Sequence, residues 1–226
     1  MKLTNEQIAI IDQTLMDKGV VYDDIKLELI DHIATDIEEK LENQEFDFDV
    51  ALSKDIIKWE KALEETSSLW GNVIGPRIVK EKFSKITKNH YKFSLLAVVI
   101  FSVLMTTITT LKPEEYVYYN LHLLFYSVYS LVCLINIISM VFIWKLKIKT
   151  ICGRFFQANV GYTAFNLYLI YSGLNKLSNL YRYYIFKNIF LNFLEWVFKG
   201  FYFFMAIYLV IVAIEHFKTI RKYKLV

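Results

Sequence analysis

The chain has 226 residues, of which 55% are apolar and 17% aromatic, and its mean hydropathy is positive. These values exceed what the core of a water-soluble domain requires, and they predict segments that contact lipid. The charge is unevenly divided, since residues 1–75 hold 18 acidic and 7 basic side chains whereas residues 76–226 hold 5 and 19. An acidic N-terminal region of net charge −11 is therefore joined to a basic, apolar region of +14.

The first forty residues, the cysteines and the missing catalytic motifs each argue against a particular class of protein. Residues 1–40 contain no apolar run long enough for a cleavable signal, so no leader is expected. Cys133 and Cys152 have neither the number nor the spacing of a disulfide framework or a metal site, and we expect two free thiols. Glycine-rich phosphate loops and catalytic serine sets are absent from the sequence. We therefore predict no enzyme, no metal and no cofactor.

Residues 1–75 are predicted to form a small domain of three to four helices. The first helix begins at Thr4, whose spacing to Gln7 fits a capping box, and it ends at Gly19. The third begins near Asp47 or Asp49 and carries an apolar stripe that ends at Trp59 and Leu63. Between them, a helix over about residues 24–43 has apolar side chains at four-residue spacing: Ile25, Leu29, Ile33, Ile37 and Leu41. No strand is expected.

Residues 76–92 are predicted to form a basic connector helix that begins beside one of the two prolines, Pro76. Its cations precede an apolar segment, so we expect them to contact anionic lipid headgroups and not nucleic acid. The predicted membrane-surface residues are Arg77, Lys80, Lys82, Lys85 and Lys88.

Residues 93–226 are predicted to form a membrane bundle of about four transmembrane helices. A span needs about twenty mostly apolar residues, and residues 93–111, 121–144, 155–174 and 195–217 meet that requirement. The third carries Gln157, Asn159 and Asn166, which must face other helices or water instead of lipid. The aromatic stretch 177–194, interrupted by Arg182 and Lys187, is predicted to lie at the membrane surface. The predicted fold is therefore all-α.

The orientation follows from the lysines and arginines beside the spans, since short positive segments stay in the cytoplasm. Taken in chain order, the five flanking segments hold six, one, four, three and four such residues. This alternation predicts a multi-pass protein of the cytoplasmic (inner) membrane, with both termini in the cytoplasm.

The second helix also carries a recognisable pattern. Residues 29–33 and 38–41 resemble the small helical HAAS signalling domains that precede multi-span segments in bacterial membrane proteins, through the runs Leu29-Ile30-Asp31-His32-Ile33 and Glu38-Glu39-Lys40-Leu41. The resemblance covers about residues 4–70. It implies a regulatory module without catalytic residues, encoded beside a PadR-like transcription regulator that would be its protein partner.

The acidic face of this helix is the predicted partner-binding site. Its carboxylates would attract a cytoplasmic protein with a Lys/Arg patch, and the site comprises Glu28, Asp31, His32, Asp36, Glu38 and Glu39. His32 has a carboxylate one turn away on each side, so a weak metal site or a pH-sensitive contact is an alternative. Packing at the edge of the apolar stripe is favoured, because one histidine stands where zinc needs two or three.

Polar residues inside the predicted spans could line a pathway or have a structural role. Lys199, four residues after Glu195, could form an ion-pathway pair, but a long side chain near the outer interface is also expected to reach toward water. Asn136, Asn159 and Asn166 could line a pathway, although hydrogen bonds between helices are the favoured interpretation.

Two functions from different classes follow. The leading hypothesis is an integral membrane regulatory protein whose acidic domain binds a protein. The alternative is a small transporter or a membrane-embedded enzyme with an accessory soluble domain. A membrane cavity on which polar side chains converge would favour the alternative, and a tightly packed apolar bundle would favour the first.

Overall fold

A computed structural model describes residues 2–43, 46–66, 75–111, 114–146, 148–159, 161–176 and 189–223. These residues are helical almost throughout, so the predicted all-α class is confirmed. The chain divides into two compact units. The first unit contains residues 1–86, 148–154 and 216–226, and the second contains residues 87–147 and 155–215.

The first unit begins with three helices: α1 (Asn5–Asp17), α2 (Asp23–Glu42) and α3 (Phe48–Leu63). The capping box is present, because Gln7 N donates to Thr4 Oγ1 and Thr4 N donates to the Gln7 side chain. Gly19 follows α1 with a φ of 81°, a conformation that favours glycine. Two short antiparallel strands, β1 (Glu65–Thr66) and β2 (Gly75–Pro76), were not expected.

The core of the first unit is aliphatic. The four-residue spacing along α2 brings Ile25, Leu29, Ile33 and Ile37 to one face, where each is at most 1% exposed. They pack with residues of α1 and α3, and Trp59 lies half-buried at the edge of this core. Burial of such side chains is worth about 1.5–3 kcal/mol each, which makes α2 the central element of the unit.

The first unit is larger than the expected domain of residues 1–75. Val79, in the predicted connector, and Ile151, more than a hundred residues beyond α2, are both buried in its core. Residues 148–154 therefore fold as part of this unit.

Five further helices follow in the described residues: α4 (Arg77–Leu111), α5 (Glu115–Leu146), α6 (Ile151–Asn159), α7 (Gly161–Lys176) and α8 (Ile189–Tyr223). The predicted connector and the first predicted span are one continuous helix, α4. Three helices, α4, α5 and α8, are long and apolar enough to cross a membrane.

The third predicted span, residues 155–174, falls on two shorter helices, α6 and α7. Neither reaches the length of the other three, and residue 160 between them is outside the described residues. The predicted surface stretch 177–194 lies largely outside them as well, and its last residues, 189–194, belong to α8.

The second unit buries aromatic and aliphatic side chains together with several polar groups, and it leaves many large apolar side chains exposed. Leu95, Leu96, Ile100 and Leu124 are each more than 60% exposed, whereas Asn136 is 1% exposed. Hydroxyls near the end of α4 bond back to their own helix, since the Thr107, Thr109 and Thr110 side chains donate to backbone carbonyls one turn earlier. Large apolar side chains exposed along these helices are consistent with lipid as the surrounding solvent.

Candidate functional site

Three of the six predicted partner-binding residues are engaged within the first unit. Glu28 pairs with Lys82, Asp36 pairs with Lys58, and the Glu38 carboxylate accepts a hydrogen bond of 2.9 Å from the Leu3 backbone N–H. The hydrogen bond and the charge of Asp36 raise the pKa of Lys58 above its usual range. These three carboxylates are engaged within the unit and are therefore not fully available to a partner.

The other three predicted residues face solvent. Asp31, His32 and Glu39 are exposed, and Asp31, Thr35 and Glu39 lie one turn apart along α2. We call Asp31, His32, Thr35 and Glu39 the α2 stripe. Within the described ranges no ion pair joins Asp31 or Glu39 to another side chain.

His32 lies at the edge of the core. Its ring centroid is 6.3 Å from that of Trp59, so it packs beside the apolar stripe, as the favoured interpretation predicted. In the part of the chain that the structure describes, no group of three or more His, Cys, Asp or Glu side chains could hold a metal ion.

The five predicted membrane-surface cations differ in their ion pairs and in their exposure. Arg77 pairs with Glu81 one turn away at 2.9 Å, and Lys82 reaches back to Glu28 on α2. Lys85 and Lys88 are exposed, while Lys80 is half-buried. Part of the positive charge of the connector is therefore paired with carboxylates of the first unit.

The start of α2 also bonds to residues 149–151, an arrangement that the sequence analysis missed. Asp23 N donates to the Lys149 carbonyl at 2.7 Å, and Lys149 N donates to the Asp23 carboxylate at 3.0 Å. Ile151 N, at the start of α6, faces the Asp24 carboxylate at 3.3 Å. A carboxylate is favourable there because the first N–H groups of a helix lack partners and carry partial positive charge.

Residues 150–153 also meet the last helix. Thr150 Oγ1 accepts a hydrogen bond of 2.9 Å from Gly153 N, and this bond caps the start of α6. The same oxygen lies 2.6 Å from His216 Nδ1. A Cβ atom at position 153 would lie 2.9 Å from the same nitrogen, so this close approach requires glycine. We call these contacts, with those of Asp23 and Asp24 to residues 149–151, the docking junction.

Burial at the docking junction affects its titratable groups. Desolvation raises the pKa of Asp24, although the Ile151 N–H and the charge of Lys82 oppose that shift. Burial also raises the pKa of Tyr22, although the charge of Arg154 opposes this shift.

One sequence pattern could have pointed to part of the docking junction. The Thr150-x-x-Gly153 segment has the form of a helix N-cap, but no nearby residue in the sequence links it to α2.

The asparagines of the second unit divide between two roles. Asn136 on α5 donates to the Ala206 carbonyl on α8 at 2.9 Å, which confirms the predicted bond between helices. Asn159 instead donates to Phe155 O in its own helix. Asn192, which the sequence analysis did not single out, donates to Thr109 Oγ1 at 2.9 Å.

A cavity of about 230 Å³ lies among α5, α7 and α8 in the second unit. Polar side chains converge on it, including Tyr129, Lys176, Glu195 and Lys199, and the last two form an ion pair of 2.7 Å. Most of the lining surface is nevertheless apolar, so the cavity does not by itself favour the transporter or enzyme of the alternative hypothesis.

No family model, no curated protein and no solved structure matches this chain. The HAAS resemblance therefore stays a prediction. Over the residues that the structure describes, the fold and the sites define an all-α protein with three helices long and apolar enough to cross a membrane and a helical unit that carries an exposed acidic stripe.

Proposed function

We propose that this chain is a regulatory protein of the bacterial cytoplasmic membrane whose helical first unit binds a basic cytoplasmic protein through the α2 stripe. The exposure of Asp31 and Glu39 carries this proposal, since both remain open to solvent while Glu28 and Asp36 are paired within the unit. A PadR-like transcription regulator is the partner that the resemblance implies.

The α2 stripe suits a helix or loop that carries lysine or arginine. Asp31 and Glu39 are eight residues apart on one helix, a separation of about 12 Å, so two cations of a partner can be met at once. Charged groups of this kind chiefly raise the association rate and set specificity. The interaction should therefore weaken as the salt concentration rises.

The docking junction supports a regulatory role. The helix that carries the α2 stripe also carries Asp23 and Asp24, which bond to residues 149–151, and Thr150 in turn contacts His216. By linkage, a ligand or partner that binds one arrangement of these bonds more tightly than another also changes the binding affinity at the other end of α2.

The same contacts favour the four-span topology with both termini in the cytoplasm. They join residues 23–24, 149–151 and 216, so all three segments belong on one side of the membrane. The chain must then cross an even number of times between residues 154 and 216. Since α8 accounts for one crossing, α6 and α7 together account for another, and the lysine and arginine counts place the shared side in the cytoplasm.

Cysteine accessibility tests this topology. In a full-length chain with Cys133 and Cys152 replaced by serine, Lys176→Cys should react with a membrane-impermeant maleimide in intact cells, and Lys222→Cys only after the cells are opened. If α6 and α7 do not cross, Lys176→Cys would be protected in intact cells, and the four-span topology would be wrong.

Charge reversal tests partner binding. The full-length variant Asp31→Lys/Glu39→Lys should lose, by at least about tenfold, a protein that wild type retains at low salt in detergent. The control Asp49→Lys/Glu60→Lys changes the net charge equally at exposed positions on α3 and should retain that protein. Equal recovery with both variants would overturn the proposed role of the α2 stripe.

A further inference from the structure

The cavity in the second unit has the features of a built binding site. Its wall is formed by α5, α7 and α8, with Phe125, Leu169 and Phe198 as its apolar part. Gly173 lets α7 approach α5 closely, because a Cβ atom there would lie 2.2 Å from the Tyr126 ring. Close helix packing therefore forms this part of the wall, while Lys176 and Phe198 lie at the exposed side of the cavity.

One residue of this wall carries a buried hydroxyl. Tyr129 is 2% exposed and lines the cavity, and its hydroxyl has no hydrogen-bond partner among the residues that the structure describes. Leaving such a group unsatisfied is unfavourable. A polar atom of a ligand in the cavity would remove that cost.

The charges around the cavity favour an anion. Lys199 and Glu195 form an ion pair whose side chains are only 14% and 19% exposed, and Lys176 adds a second cation at the end of α7. With two cations and one carboxylate, the lining has a net charge of +1. The Nζ atom of Lys199 lies 5.0 Å from the ring centroid of Trp196 and 5.6 Å from that of Tyr126, within the range of a cation–π interaction.

We propose that this cavity binds the headgroup of an anionic phospholipid, with the phosphate between Lys176 and Lys199, the Tyr129 hydroxyl donating to a phosphate or glycerol oxygen, and the acyl chains leaving along the apolar wall. Phosphate is the shared chemistry of a lipid headgroup and a free phosphate ion. The apolar wall and the apolar outer surface of the surrounding helices favour the lipid. This inference does not depend on the partner of the α2 stripe.

Native mass spectrometry of the detergent-purified full chain tests the proposal. The first bound phosphatidylglycerol should have at least about tenfold higher affinity than phosphatidylcholine with the same acyl chains. Inorganic phosphate at millimolar concentration should not displace it. Equal affinity for the two lipids would overturn the preference for an anion, and displacement by inorganic phosphate would show that a free phosphate is the ligand.

Two variants locate the binding site. Tyr129→Phe removes only the hydroxyl and should weaken phosphatidylglycerol binding about 3- to 10-fold. Lys176→Gln, at an exposed position, should weaken it about as much. Tyr168→Phe and Lys145→Gln are the matched controls, since both side chains are exposed and neither lines the cavity.

The variants decide the proposal even if one of them folds poorly. Should Tyr129→Phe not purify as a folded protein, Lys176→Gln alone decides the result. Wild-type affinity in every folded variant of the cavity, or an equal loss in the controls, would overturn the assignment.

Discussion

The two units of this protein both bury apolar side chains, and they differ chiefly in how many large apolar side chains they leave exposed. In the first unit the inside is aliphatic, with Ile33 and Ile37 fully buried, and most charged residues lie outside. In the second unit His122, Asn136 and Asn192 are buried, while Leu95 and Leu96 lie on the surface. This difference is what the proposed surroundings predict, because the hydrophobic effect drives leucine out of water but not out of lipid tails.

The two units also use their polar groups differently. In the first unit, charged pairs such as Lys82 with Glu28 join elements across a surface in contact with water. Such pairs contribute little, typically 0–1 kcal/mol. In the second unit, neutral hydrogen bonds such as that of Asn136 to Ala206 join helices in an apolar surrounding. Stability should therefore depend on apolar packing in the first unit, and in the second on close helix contact and hydrogen bonds.

The largest expected effect tests the aliphatic core. Ile33→Ala should destabilise the first unit by about 2–5 kcal/mol, because it removes apolar contacts and leaves a cavity at a fully buried position. Hydrogen exchange of the α2 amides in the full-length protein should show this loss as a lower opening free energy. Ile57→Ala, at a position 67% exposed, is the control and should change it by less than about 0.5 kcal/mol. Equal effects would mean that α2 does not organise the unit.

A smaller effect tests close helix contact in the second unit. Gly173→Ala places a methyl group 2.2 Å from the buried Tyr126 ring and should cost about 1–3 kcal/mol. Thermal unfolding in detergent should show a Tm lower by about 2–10 °C. Gly161→Ala, on the same helix with nothing within 4 Å of the added atom, should leave Tm unchanged or raise it slightly. If both variants behave alike, packing at Gly173 is not a determinant of stability.

The smallest effect concerns the docking junction, where a carboxylate is partly removed from water. Burial raises the folded-state pKa of Asp24 above its ordinary value of 3.8, so between those two values the folded chain binds more protons than the unfolded chain. The contribution of Asp24 to stability should therefore increase as the pH falls through this window and decrease as it rises.

Asp24→Asn removes this titration and provides the comparison. Denaturant unfolding followed by circular dichroism at pH 4, 5 and 6 should show that wild type gains stability on acidification relative to the variant. Parallel changes, or a relative loss in wild type, would show that burial does not control the Asp24 carboxylate.

Local patterns in the sequence predicted much of the helical structure. The capping box at Thr4, the four-residue spacing of Ile25 to Ile37 and the uncharged runs in α4, α5 and α8 each involve neighbours within one or a few helical turns. Their physics is local, since helix periodicity, capping and the length of an apolar run depend only on nearby residues. For the same reason they did not reveal the two short strands, whose residues pair across a gap of about ten positions.

The sequence by itself determined the all-α class, the separation of an acidic from a basic apolar region, and the helices long enough to cross a membrane. Only the tertiary structure decided which acidic side chains of α2 remain exposed, that Asp24 meets Ile151, and that Tyr129 and Lys199 line one cavity. The reason is physical: Asp24 and Ile151 are 127 positions apart, and no periodicity along the chain records which helix ends meet once the apolar faces have packed.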